Sequence, residues 1–210
     1  MSALSRREQA RLDARTQIMA EGRTLFAAKG YEAVTMRDIA KATGYTASAL
    51  YYHFKDKAEL MMAICSEDFL NLAQLFQAAL VHEDPLENIK SMGLAYARFA
   101  LENPNHYRLM FMSKAPAGLE LDKDDQIRQG DPNQDAYAAL HHFVALAHQK
   151  GMLREGLDDT HLVAQTFWAG VHGTVSLALD KGDELWIPWA DLEQRLNLMA
   201  DSLRRGMERT

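Results

Sequence analysis

TMRDIAKATGYTASALYYHFKDKAEL, the stretch from Thr35 to Leu60, predicts two short helices separated by a glycine turn. The Thr35 hydroxyl can cap the first helix, while the side chain of Asp38 returns a bond to the cap residue. Gly44 supplies the turn, because glycine adopts left-handed backbone angles without strain. Thr46 can cap the second helix. Two capped helices joined by so short a turn are typical of a helix-turn-helix.

The second helix, from Thr46 through Phe54, has the features of a recognition helix, which a helix-turn-helix inserts into the major groove of DNA. Leu50 and Phe54 are spaced to face the protein interior. Tyr51 and Tyr52 are adjacent, and adjacent residues on a helix cannot both face one core. This argues against the alternative that both tyrosines are core aromatics. We therefore expect them to be exposed and to contact a partner.

This stretch resembles the DNA-binding signature of the TetR family of bacterial repressors. The signature has a small residue after the turn, an L-Y-x-H-F core and a lysine three residues beyond it, which match Leu50–Phe54 and Lys57. The resemblance implies that four residues lie at or beside bases: Arg37, Ala47, Ser48 and Tyr51. It implies that five others hold phosphates: Thr35, Thr46, Tyr52, His53 and Lys57. A packing role is the alternative for His53.

Charge is distributed unevenly along the chain. Residues 1–57 carry ten Lys and Arg against six Asp and Glu, a net charge of +4. Since the whole chain carries −6, residues 58–210 carry −10. A basic segment joined to an acidic one fits a DNA-binding domain attached to a domain that does not bind DNA. We therefore expect a DNA-binding domain at 1–57 and a second domain at 58–210.

Ahead of the helix-turn-helix, apolar and small residues recur at helical spacing between Ile18 and Phe26, so a first helix should end at Lys29–Gly30. Four arginines come before or at its start: Arg6, Arg7, Arg11 and Arg15. We expect residues 1–11 to be a flexible arm. Such an arm can add phosphate contacts or enter the minor groove, and a purely solvated tail is the alternative.

The rest of the chain also has helical periodicity. Helices are predicted at about 56–80, 85–103, 105–112, 132–150, 159–181 and 189–209, with an exposed loop at 113–131. No sustained strand alternation is present. The fold is therefore expected to be all-α, with an N-terminal three-helix DNA-binding domain and a C-terminal helical domain for ligand binding and dimerisation.

Two segments of the second domain, NPNHYRLMF from Asn103 and FWAGVHGTVSL from Phe167, resemble the Trp-x3-His-Gly class of TetR ligand-binding domains. In that class the last two long helices form the interface of a homodimer. An apolar row at helical spacing on the last helix is the expected contact. The row consists of Leu192, Leu196, Met199 and Leu203.

A pocket for a small, apolar effector is expected in the second domain. Trp168 and His172 are four residues apart and so share a helix face. The candidate lining residues are Tyr96, Phe99, Met110, Phe111, Phe143, Trp168 and His172. The alternative is that Trp168 and His172 only pack or contact the other subunit, because pockets and cores use the same residue types.

Several function classes are disfavoured. No phosphate-binding glycine loop or nucleophile motif is present, so an enzyme is not expected. His141 and His142 diverge by roughly 100° on a helix, and Cys65 is the single cysteine, so neither a metal nor another cofactor is expected. No apolar run approaches the roughly 20 residues of a membrane span. A cytoplasmic protein without a membrane partner is expected.

These features favour a homodimeric transcription regulator that binds a palindromic operator in double-stranded DNA. A repressor released by a small-molecule effector is the main hypothesis. An activator, and a helical ligand- or partner-binding module that keeps the fold without binding an operator, are the alternatives.

Overall fold

The computed structural model describes residues 5–113, 128–182 and 185–209. It is all-α, as predicted. The helices are α1 (Arg6–Lys29), α2 (Met36–Thr43), α3 (Ala47–His53), α4 (Lys57–Ala79), α5 (Pro85–Glu102), α6 (Pro104–Tyr107), a π-helix (Arg108–Met112), α7 (Ala136–Gln149), α8 (Thr160–Lys181) and α9 (Leu192–Met207). Within the described ranges, extended pairing is limited to one isolated bridge, between Leu153 and Glu208.

The chain divides by its contacts into two compact units. The first comprises the described residues of Met1–Asp68 and Asn105–Lys123, and the second those of Phe69–Pro104 and Asp124–Thr210. The first unit thus extends beyond the boundary expected at Lys57. The reason is apolar packing, because the first turns of α4 add Leu60 and Ile64 to the core of this unit.

The core of the first unit is built from the inward faces of α1 to α4. Its fully buried side chains include Ile18, Phe26, Ile39, Leu50, Phe54, Leu60 and Ile64. Leu109 of the π-helix, which lies far along the chain, completes this core with 1% of its surface exposed. Residues 105–113 are therefore an integral part of the first unit.

The caps predicted for the helix-turn-helix are present. The Thr35 hydroxyl accepts a hydrogen bond from the Asp38 backbone N–H, and the Asp38 carboxylate accepts one from the Thr35 N–H at 2.9 Å. Gly44 ends α2 with φ +75°, in the left-handed region. The Thr46 hydroxyl accepts from the Ala49 N–H at 3.1 Å and begins α3. These predictions are confirmed, and they place α3 after a tight turn.

Three helix starts differ from the expectation, in each case because another residue caps the helix. Ser5 and Glu8 form a capping box, so α1 begins at Arg6 and residues 6–11 are helical where a flexible arm was expected. Asp135, not Asp131, caps α7. Asp191 caps α9, which begins at Leu192 instead of Trp189. Most of the loop predicted at 113–131 lies outside the described residues, which exclude 114–127.

The second unit is a helical bundle in which α8 packs against α5, α7 and α9. The buried side of α8 includes Val163, Phe167, Val171 and Val175. Its length and mean hydropathy would also allow it to cross a membrane. A core helix of a folded unit passes the same test, so this property is weak evidence for a membrane span.

Candidate nucleic-acid interface

The recognition helix α3 presents its polar side outward. Leu50 and Phe54 are fully buried, whereas Tyr51 is 54% exposed and Tyr52 is 71% exposed. Ser48 is exposed and Ala47 is partly exposed on the same short helix. Large aromatic side chains are costly to leave in water, so this arrangement favours contact with a partner.

The residues around α3 expected at bases and phosphates are accessible but partly engaged in caps. Arg37 is exposed on α2, next to the Thr35 cap. The Thr35 hydroxyl donates to the Asp38 carboxylate at 2.6 Å, in addition to its capping role. Thr46 is exposed and caps α3. The N-terminal ends of α2 and α3 thus carry the predicted polar side chains on the surface of the first unit.

His53, at the C-terminal end of α3, is tied to α1 through Arg15. The Arg15 guanidinium donates to the His53 carbonyl oxygen at 3.1 Å and lies over the Phe54 ring, 4.2 Å from its centre. Burial, followed by the positive charges of Arg15 and Arg11, lowers the pKa of His53. The free protein therefore favours a neutral imidazole at this position near pH 7.

Lys57, expected to hold a phosphate, contacts Tyr31 within the chain. Its ammonium donates to the Tyr31 carbonyl oxygen at 2.7 Å and lies 4.1 Å from the centre of the Tyr31 ring. An ammonium has three donors, so these contacts leave capacity for an anion. Tyr31 was missed from the sequence, since no local pattern links it to a lysine 26 residues later.

A buried ionic cluster joins α1, α4 and α6 inside the first unit. Arg23 donates to the Asp68 carboxylate through Nε at 3.0 Å and Nη2 at 2.8 Å, and its Nη2 also donates to Glu67 at 3.0 Å. His106 Nδ1 lies 2.9 Å from Asp68 Oδ1. The Asp68 side chain is fully buried. We define Arg23, Glu67, Asp68 and His106 as the ionic cluster, which the sequence interpretation did not include.

Two family models match this chain. Residues 18–64 match the model described as "Bacterial regulatory proteins, tetR family". Residues 89–203, more than half of the chain, match the one described as "Tetracyclin repressor-like, C-terminal domain". The chain belongs to the TetR family of bacterial regulatory proteins. Members are DNA-binding transcription regulators, so the prediction that this TetR protein is not an enzyme is confirmed. The Trp-x3-His-Gly class stays a prediction.

Sequence relatives and similar solved structures are consistent with membership of this family. The repressor AcnR of Corynebacterium efficiens is 27% identical over 162 residues, which cover 76% of this chain and 80% of AcnR. A TetR family regulator from Marinobacter aquaeolei superposes with a TM-score of 0.76 at 18% identity, covering 97% of this chain and 100% of that one. The SmeT–triclosan complex superposes with a TM-score of 0.71 at 22% identity, covering 94% and 92%. SmeT is the repressor of a Stenotrophomonas maltophilia multidrug efflux pump. The two structures show a shared fold.

Three of the effector-pocket residues predicted for this TetR protein lie together in the second unit. The Tyr96 hydroxyl lies 2.9 Å from His172 Nδ1, and the Trp168 indole N–H donates to the Tyr96 oxygen at 3.5 Å. Burial lowers the pKa of His172. Phe99 is buried and Phe143 partly buried in the same unit. Met110 and Phe111 belong to the first unit.

A small apolar cavity elsewhere in the second unit was missed from the sequence. Its lining comprises Leu86, Ile89, Val144, Leu153, Val163, Phe167, Arg204 and Met207. No local signal could have found it, since cavity and core residues are of the same types. Arg204 is the charged member of this lining, and its guanidinium is bonded to Asp84, Glu87 and Glu208.

Two members of the apolar row predicted at the dimer interface, Met199 and Leu203, pack on α8 within the chain. Leu196 is buried, and Met199 and Leu203 lie so close to Gly170 that a Cβ there would approach them to 2.9 Å. Leu192, at the start of α9, is partly exposed. Other apolar side chains of the same two helices remain exposed: Leu162, Leu177 and Leu198.

Histidines cluster where α7 meets α8. The rings of His141 and His161 stack with 3.8 Å between their centres, and His161 Nδ1 lies 2.9 Å from the Tyr137 hydroxyl. Burial and the neighbouring His161 lower the pKa of His141. Among the residues that the structure describes, no group of three or more His, Cys, Asp or Glu is placed to hold a metal ion.

Proposed function

We propose that this TetR protein is a cytoplasmic homodimeric repressor that binds a palindromic operator and leaves it when a small apolar effector binds the second unit. The observation that carries the proposal is the pair of exposed tyrosines on α3, Tyr51 and Tyr52. The similarity to AcnR, which is named a repressor, supports repression. The first unit would bind DNA, and the second would bind effector and partner.

In the proposed complex α3 lies in the major groove. Arg37, Ala47, Ser48 and Tyr51 would then face base edges, and the other polar side chains would hold phosphates on either side. Lys57 would reach a phosphate while keeping its contact with Tyr31. The small side chains at 47 and 48 leave room for thymine methyl groups and for recognition of DNA shape.

Dimerisation would use α8 and α9 in a four-helix contact with a second copy. The exposed Leu162, Leu177 and Leu198 support this proposal, because a second copy would remove them from water. The row Leu192, Leu196, Met199 and Leu203 would then pack within each subunit, beneath the side chains that contact the second copy. A two-fold dimer places two recognition helices about one DNA turn apart, roughly 34–36 Å.

The decisive measurement is operator binding by the Tyr51→Ala variant. Genome-wide footprinting of the wild-type protein first identifies the operator. Loss of a base contact costs about 1–3 kcal/mol in each half-site, so the dimer's affinity should fall tenfold or more. Tyr137→Ala, a tyrosine replacement in the second unit, is the control and should bind as the wild type does. Wild-type affinity of Tyr51→Ala in a gel-shift assay would refute the assignment.

The same assay separates the proposal from its alternatives. Operator affinity should fall steeply with salt, since each phosphate contact releases counterions. A helical module that does not bind DNA would show no operator binding at any salt concentration. Deleting the gene should raise expression next to the operator for a repressor and lower it for an activator.

The effector proposal is tested with triclosan, the compound bound in the SmeT structure, as a first apolar probe. If the site includes the Tyr96–His172 hydrogen bond, His172→Leu should keep operator binding but reduce release by the probe. His148→Leu, at an exposed histidine of the same unit, is the matched control. Equal release in His172→Leu and wild type would place the effector elsewhere.

A further inference from the structure

Helix α1 extends far beyond the core that it helps to build. It begins at Arg6, whereas the first fully buried side chain on it is Ile18. Residues 6–17 would span about 18 Å at 1.5 Å per residue, and their side chains are exposed except for Ala14 and Arg15, which are partly buried. Most of the stability of a helix in a folded protein comes from tertiary packing of an apolar face. This segment therefore lacks the usual apolar reason to be helical.

The exposed segment carries a row of positive charge. Arg7, Arg11 and Arg15 are spaced four residues apart and so lie along one side of the helix. We call these three residues the arginine stripe. Like charges at this spacing destabilise a free helix. Anions along the stripe would remove that repulsion.

The acidic residues of the segment are occupied by local hydrogen bonds. Glu8 accepts from the Ser5 backbone N–H at 2.8 Å in the capping box, and Asp13 accepts from Gln9 at 2.8 Å. Arg11 lies near enough to Glu8 to lower its pKa, after the larger effects of the two bonds to Ser5. Both carboxylates keep their negative charges, and four arginines against these two acidic residues give residues 6–17 a net charge of +2.

The stripe starts at the recognition helix. Arg15 is bonded to the His53 carbonyl oxygen at the end of α3 and stacks on Phe54. Arg11, one turn away, is close enough for its charge to help lower the pKa of His53. Because α1 is a continuous helix anchored in the core, Arg7 and Arg11 are held in a defined position relative to α3.

We propose that Arg7 and Arg11 bind phosphates of the DNA backbone beyond the contacts of α3, with Arg15 anchoring the stripe. This inference rests on the proposed operator binding. It extends the DNA-binding surface to a preformed helical ridge, in place of a flexible arm. The contacts are made to phosphates and carry no sequence information of their own.

The test is the salt dependence of operator binding by Arg7→Gln/Arg11→Gln in the full-length chain. Each lost phosphate contact should reduce the slope of log K against log salt by about 0.9, and the homodimer loses four contacts, two in each subunit, so the double variant should lose about 3.6. Between 50 and 200 mM salt, its affinity should then fall about 150-fold less than that of the wild type. Glutamine has a helix propensity close to that of arginine. Circular dichroism should therefore show unchanged helix content.

Arg98→Gln/Arg154→Gln, which removes two exposed arginines of the second unit, is the charge-matched control and should keep the wild-type slope. The reduction in slope caused by Arg7→Gln/Arg11→Gln should be equal for operator and random DNA of the same length. It should vanish on a duplex trimmed to the footprint of α3. A wild-type slope in Arg7→Gln/Arg11→Gln would overturn the proposal, and so would a loss confined to A·T-rich flanks, which indicates minor-groove binding instead.

The role of the arginine stripe and the proposed operator binding can be refuted separately. If the wild type binds the operator and Tyr51→Ala does not, an unchanged slope in the stripe variant overturns the stripe alone. If the wild type binds no operator, both proposals fall together.

Discussion

Replacing Asp68 by asparagine should lower the free energy of unfolding by about 3–5 kcal/mol, the usual cost of removing one partner from a buried ion pair. Asp68 is fully buried and accepts two hydrogen bonds from Arg23, which is itself 9% exposed. The substitution keeps the shape of the side chain but leaves the guanidinium charge poorly compensated. Urea unfolding of the full-length protein measures the effect, and the midpoint should fall by more than about 1 M.

Glu67→Gln provides the control within the same ionic cluster. The Glu67 side chain is 48% exposed and bonds the same guanidinium, so its loss should cost less than about 1 kcal/mol. The double replacement Arg23→Met/Asp68→Leu removes both buried charges and should recover much of the stability lost in Asp68→Asn. A loss in Asp68→Asn as small as that in Glu67→Gln would show that the buried pair is not a major source of stability.

Replacing Leu109 by alanine should cost about 2–5 kcal/mol, the range for deleting a fully buried leucine side chain. Leu109 lies on the π-helix, has 1% of its surface exposed and packs into the core beside α1. Leu109 stabilises this core although it lies 45 residues beyond the segment matched by the DNA-binding family model. Urea or thermal unfolding measures the loss.

Leu101→Ala is the matched control, because Leu101 on α5 is 47% exposed. Its replacement should change the unfolding free energy by no more than about 0.5 kcal/mol. If Leu109→Ala proved as mild as Leu101→Ala, residues 105–113 would not be part of the first unit's core. A large loss would mean that the stability of the first unit depends on a segment outside the helix-turn-helix sequence.

Local hydrogen bonds explain which features could be predicted. The Thr35–Asp38 capping box and the Thr46 cap join residues three positions apart, and Gly44 acts through its own backbone. Such signals are complete within a few residues of sequence. The same reasoning misplaced the starts of α7 and α9. Asp131 and Asp135 both offer a start for α7, and Trp189 and Asp191 both offer one for α9; in each case the structure uses the second.

Long-range contacts explain what was missed. Arg23 and Asp68 are 45 residues apart, and His106 is 38 residues from Asp68. Periodicity marks each helix face as apolar or polar, but it does not say which polar side chains of distant helices meet. The contact of Lys57 with Tyr31 and the small cavity beside Phe167 were missed for this reason.

The amino-acid sequence by itself determined the all-α class, the helix-turn-helix and the outward position of Tyr51 and Tyr52, because helix periodicity and capping are local properties. Only the tertiary structure decided that residues 105–113 complete the core of the first unit. It alone joined Arg23, Asp68 and His106, and it alone packed Met199 and Leu203 against Gly170. Those outcomes depend on which helix faces meet in space, and burial of apolar surface selects among pairings that no single segment encodes.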